Sequence, residues 1–177
     1  MDLLQFDAQD LYYEQDDSQE VQDLIKYASE RYANGDAELP LLQAFLRAPD
    51  SLNVLVSLNR FYYYQHRLAE ALIISERALA LIRPGIDFPE DWRALERSHV
   101  TEAPKELLTR VRFYLFTLKS IGFLNMRLEN LELSRAIFEK LVALDDKDRI
   151  GAQGLLELVV RRQEAAEGIF RLPDVFG

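Results

Sequence analysis

Asp146, Asp148, Gly151 and Glu157 follow part of the spacing of a calcium loop, in which carboxylates and one glycine wrap a single ion. Ile150, at the fifth position, supplies no side-chain oxygen, and a turn between two helices accounts for the same acids. His99 lies beside Ser98 and Thr101, with Glu96 and Glu102 nearby. These are the residue types of a nucleophile and its base. No nucleophile elbow, oxyanion loop or glycine-rich phosphate loop accompanies them. His66 reads as a turn residue. Cysteine is absent, which removes disulfides, thiolate metal ligands and thiol nucleophiles. Paired carboxylates are plentiful and read as solvated helix faces. The sequence therefore leads us to expect no catalytic residue, no metal site, no cofactor and no enzyme activity.

The chain that must position these residues has 177 of them, one domain's worth. Apolar residues make up 49% and charged residues 29%, while glycine and proline number only seven and six. That composition favours helices. The net charge of −9 sits at one end: residues 1–38 hold eleven acids and two bases, and the remainder balances. Such a chain offers no electrostatic footprint for nucleic acid or an anionic membrane. No apolar run approaches the roughly 20 residues of a membrane span. Nor is there a signal-peptide pattern, so cytoplasmic localisation is expected. Residues 1–17 form an acidic segment, expected to be mobile, with Leu3, Leu4, Phe6, Leu11, Tyr12 and Tyr13 interspersed. It is suited to a basic surface, on its own chain or on a partner.

Apolar spacing and capping residues predict a helix over 18–34, ended by Asn34-Gly35-Asp36. Further helices are predicted over 39–48, 51–65 and 68–82. Residues 83–103, with Pro84, Gly85 and Pro89, break the rhythm as an insertion, in which Pro89-Glu90-Asp91-Trp92 begins a short helix. Trp92 is expected to anchor it. A long helix over 104–128, its partner over 131–144 and a last helix over 149–167 follow. The helical domain is thus 18–167, and 168–177 is a non-helical tail whose Phe170 and Phe176 either pack on the last helix or form a short linear motif.

Around Arg67-Leu68-Ala69-Glu70-Ala71-Leu72, the residues Leu55, Leu58, Asn59, Tyr62, Ala71 and Ala78 fall at set intervals. Leu118, Ile121, Gly122, Ser134, Phe138 and Leu141 follow a similar scheme, and Leu24, Tyr27 and Ala28 a worn one in which Pro40 replaces a small residue. This pattern resembles the tetratricopeptide (TPR) repeat, whose period is about 34 residues. Asn59 stands where the repeat usually has glycine, Leu55 where it has tryptophan, and Asn125 where it has an aromatic. The resemblance implies an all-α, right-handed stack of antiparallel helix hairpins with a helical insertion. Size and acidity also resemble the small three-repeat chaperones of type III secretion, although the insertion departs from their continuous array.

In TPR stacks the first helix of each hairpin lines a concave groove that takes a peptide or helix. The resemblance places Asn53, Val56, Arg60, Tyr63, Tyr64, Phe116, Lys119, Phe123, Met126 and Arg127 in that groove, with Ser57 and Ser120 between them. The lysine and asparagine clamp by which some TPR proteins hold a terminal carboxylate is not matched, since Val56 and Ser57 stand there. Independently of any family, Leu107, Val111, Tyr114, Leu118 and Ile121 form one apolar stripe on the long helix, and Phe116 and Phe123 lie on another face. A helix apolar on two faces is either buried twice or binds something. Aromatic rings beside Arg60 and Arg127 have the composition of interface anchors. The expected function is non-catalytic binding of a protein or peptide segment, as adaptor, accessory factor or dedicated chaperone. The alternatives are a self-assembling homo-oligomer that buries the phenylalanine face and, behind it, a small enzyme around His99. The rings can also be covered by the insertion or by the N-terminal segment.

Overall fold

The computed structural model describes residues 17–32 and 36–170. Much of the expected acidic segment, the Asn34-Gly35 stop, Pro173 and Phe176 lie outside the described residues. Within them the chain is all-α, with no strand. Eight α-helices run as α1 (Gln19–Ser29), α2 (Glu38–Arg47), α3 (Leu52–Tyr64), α4 (Leu68–Ile82), α5 (Arg97–Thr101), α6 (Leu108–Arg127), α7 (Leu131–Leu144) and α8 (Gln153–Phe170).

The helix starts follow local chemistry. The Ser18 hydroxyl accepts from the Val21 N–H at the head of α1, and the Ser51 hydroxyl accepts from the Val54 N–H at the head of α3. Each bond satisfies a donor that the first turn leaves without a helical partner. Asp148 stands at positive φ, and one of its carboxylate oxygens accepts from the Ala152 and Gln153 N–H groups. That delays α8 to Gln153, where residue 149 was expected. The same helix runs on through Gly168 to Phe170, so the first three residues of the expected non-helical tail are helical. α1 ends at Ser29, short of residue 34, and α6 starts at Leu108 after a 3-10 turn at Lys105–Leu107.

Consecutive helices pack as hairpins, α1 on α2, α3 on α4, α6 on α7 and α7 on α8, and α2–α3 and α4–α6 contacts join one pair to the next. Two hairpin turns have the same backbone geometry 63 residues apart. His66 and Glu129 both take positive φ, the Arg67 N–H reaches the Tyr62 carbonyl, and the Asn130 N–H reaches the Asn125 carbonyl, each at 2.9 Å. The close contacts inside these hairpins correspond at the same offset. Asn59 donates to the Ala71 carbonyl and to the Ser75 hydroxyl, and the Ser134 hydroxyl donates to the Gly122 carbonyl. A Cβ on Gly122 would sit 2.9 Å from both Ile137 Cγ2 and Phe138 Cε1, so the glycine is required by the approach of α7.

The insertion does not interrupt the stack, because α4 still packs on α6. Its Ile86, Phe88 and Leu95 are buried, Phe88 meets Tyr114 edge-on at 5.0 Å, and Trp92 packs against the same core. The expected short helix is a single 3-10 turn, Trp92–Ala94, capped by Asp91, with α5 following. Lys140 donates to the Leu95 carbonyl, and Arg97 pairs with Asp146. His99 Nδ1 accepts from the Glu96 N–H, and its ring packs edge-on against Phe88.

Candidate functional site

The expected groove residues lie on α3 and α6. On α3 the sequence Asn53, Val56, Arg60, Tyr63 steps by three or four residues and so occupies one face. On α6 Arg112, Phe116, Phe123 and Arg127 step by four, seven and four residues and likewise share a face. The two faces meet where Tyr63 and Phe123 bring their ring centroids to 6.3 Å, and Tyr64 continues the cluster edge-on to Tyr63 at 5.6 Å. Tyr63, Phe116 and Phe123 are half-buried, and Tyr64 is 49% exposed.

Cations flank the rings. The Arg60 guanidinium lies 5.8 Å from the Tyr64 centroid and 5.9 Å from that of Tyr32, and that of Arg127 lies 6.0 Å from Phe123. Such contacts place the positive charge over the electron-rich ring face. Neither α3 nor α6 carries an acidic residue, although the chain's net charge is −9. Their cations are Arg60, Arg110, Arg112, Lys119 and Arg127. Arg110 points elsewhere, toward Gly85 of the insertion.

Two of the ten expected groove residues do not line an open face. Met126 is 2% exposed and belongs to the core. Lys119 is 5% exposed, and its ammonium donates to the Ile150 carbonyl in the turn before α8. Burial holds the Lys119 pKa below the usual lysine range, and the Asp148 charge partly offsets that. Its ammonium also stands 4.9 Å from the Phe116 centroid, so the lysine closes the floor of this face. Ser120 is buried as well. Both follow from the last hairpin folding back on α6, a contact that helical periodicity does not reveal.

Sequence reasoning missed Tyr32 as a site residue; the turn after α1 brings it to the same face. Its hydroxyl donates to the Ser57 carbonyl, its ring lies 6.0 Å from Phe61, and its own carbonyl accepts from Gln65. The scarcity of acids was legible as a count per predicted helix, none over 51–65 and only Glu106 over 104–128. Asp17 also reaches the site: one carboxylate oxygen accepts from Ser51 Oγ at 3.0 Å and from Asn53 Nδ2 at 2.8 Å. The insertion is directed away from the rings. It packs on Tyr114, two residues and therefore about 200° around the helix from Phe116.

The calcium-like acids are occupied locally. Asp146 pairs with Arg97, Asp148 caps α8, and Glu157 accepts from Gln153 Nε2. Among the described residues no group of three or more His, Cys, Asp or Glu side chains is arranged to hold a metal, and no helix is long and apolar enough to cross a membrane. His66 stands exposed in its turn.

The chain is 42% identical over 159 residues to the uncharacterized 19.8 kDa protein in the nifW 5′ region of Azotobacter chroococcum mcd 1, a match covering 90% of this chain and 89% of that one. No family model matches the chain. No solved structure matches it either.

Proposed function

The chain belongs to the family of that nifW 5′-region protein, and we propose that it is a non-catalytic protein-binding module, a divergent TPR-like stack that takes a segment of a partner protein along the α3–α6 face. The observation that carries this reading is the Tyr63–Phe123 ring pair, which joins two helices distant in sequence into one half-open aromatic seam. Arg60 and Arg127 flank it, and neither helix contributes an acid. Rigid rings and planar guanidinium groups lose little entropy on binding, which is why they dominate interface energetics. The turn and close-contact geometry recurring at 63 residues supports the TPR-like part of the reading. The module acts as an adaptor, accessory factor or dedicated chaperone, in the cytoplasm.

The test is capture from a lysate of the source organism with the intact chain as bait, beside the Tyr63→Ala/Phe123→Ala variant. Both rings are half-exposed, so the variant keeps its helical circular dichroism. A protein retained by the intact chain and lost from the variant is the expected result. An identical captured set from both baits rules the groove out.

Self-association is a second reading, favoured by one specific feature. Leu39, Leu42 and Leu46 form an exposed stripe on α2, with Leu46 80% exposed. A dimer at micromolar concentration by light scattering, abolished by Leu42→Asp/Leu46→Asp, would establish it.

A further inference from the structure

The α3–α6 face is cationic in an acidic chain, and the larger part of the excess acid lies in the residues that lead to it. Residues 1–16, outside the described residues, hold Asp2, Asp7, Asp10, Glu14 and Asp16 and no lysine or arginine. Their remaining residues include Leu3, Leu4, Phe6, Leu11, Tyr12 and Tyr13, the apolar and aromatic partners that a seam of rings accepts.

The point of attachment is fixed. Asp17 is bonded to Ser51 and Asn53 at the head of α3, the helix that supplies Val56, Arg60 and Tyr63. Sixteen residues reach roughly 50 Å when extended. α3 is about 20 Å long at 13 residues. The segment therefore starts at one end of the face with ample length to run along it past Arg60 toward Phe123 and Arg127. Tethering at that point holds it at an effective concentration in the millimolar range, so a weak intrinsic affinity is enough to keep the site filled.

We propose that residues 1–16 of the chain occupy its own α3–α6 face and that an incoming partner segment must displace them. The inference rests on the binding reading above and adds the ligand class, an acidic segment bearing leucine and aromatic residues. A face filled for 90% of the time would weaken partner binding about tenfold. Salt would loosen the contact, because part of it is charge attraction across solvent.

The chain has no cysteine, so Ala8→Cys in the intact chain gives a unique spin-label site. Paramagnetic broadening of amide signals then reports where residue 8 spends its time. The expected result is severalfold loss of intensity that, beyond the start of α1, is strongest on residues 56–64 and 112–127 and is relieved by 0.5 M salt (roughly a 4 Å screening length). Asp7→Asn/Asp10→Asn/Glu14→Gln in the same chain should reduce the broadening by a similar factor. Broadening that is strongest elsewhere, such as on the α2 leucines, or that is absent beyond the start of α1, overturns the proposal. Mixing spin-labelled chain with isotope-labelled, unlabelled chain separates the copies, and broadening seen only in that mixture overturns occupancy within one chain. If broadening is absent while capture still depends on Tyr63 and Phe123, this inference fails and the binding reading stands. If broadening is present while capture ignores those rings, the face is an internal seat and the binding reading fails.

Discussion

Gly122 and His66 are opposite cases of one backbone requirement. At Gly122 space is the constraint: a methyl group would press on Ile137 and Phe138, both fully buried. Gly122→Ala should cost about 1–3 kcal/mol, the usual penalty for overpacking, read as a lower urea midpoint with an unchanged slope. At His66 the constraint is φ, +58° on an exposed residue with a side chain. His66→Gly should relieve roughly 1 kcal/mol of left-handed strain and raise the midpoint. The need for small residues at Gly122 and Ser134 was legible in their spacing, because a close helix approach leaves that mark on composition. The fates of Lys119 and Met126 were not. Periodicity says which residues share a face, and only the position of the last hairpin says whether that face is covered.

The insertion is the element whose existence was easiest to see and whose contacts were hardest. Pro84, Gly85 and Pro89 announced it, and Trp92 announced an anchor, since helix propensity fails where they cluster. That it turns toward Tyr114 and Lys140, away from Phe116, depends on Phe88 and Leu95 finding a gap between packed helices, which no local pattern encodes. Its outer attachments are ionic. The hydrogen bond from Arg97 holds the Asp146 carboxyl below its usual 3.8, and the Arg93 N–H does the same for Asp91. A carboxyl lowered by folding contributes stability above its unfolded pKa and loses it as the pH falls through the folded one. The insertion should therefore loosen below about pH 3.8. Trp92, the only tryptophan, reports this as a red shift in emission. Both carboxylates are exposed, so the effect is small, and Asp146→Asn should already lack its Arg97 share at neutral pH. An emission maximum that stays constant from pH 6 to 2 would contradict the account.

At the scale of the whole molecule, the all-α architecture was legible because hairpins are local and each helix carries its own pattern, whereas the joining of hairpins is not written in any one segment. Two apolar clusters form the interior, one mainly from α1 to α4 and the other mainly from α4, the insertion, α6, α7 and α8. They are not separate. Leu124 of α6 lies in the first, and Leu52 and Leu55 of α3 lie in the second. Repeat arrays in general unfold as sums of neighbouring units, and cooperativity depends on how strongly the units couple. Here α3 and α6 each extend into the other's cluster, so neither half can open without exposing buried leucines of its neighbour. The intact chain should unfold in urea in one transition, with circular dichroism of all helices and Trp92 emission coinciding. Leu124 is 1% exposed, and Leu124→Ala removes one of the shared side chains, a change that costs about 2–5 kcal/mol. Trp92 lies in the second cluster and Leu124 in the first, so the two probes separate the possibilities. A coupled stack shifts both midpoints down together. Independent halves would move the helical signal in part and leave the tryptophan midpoint where it was.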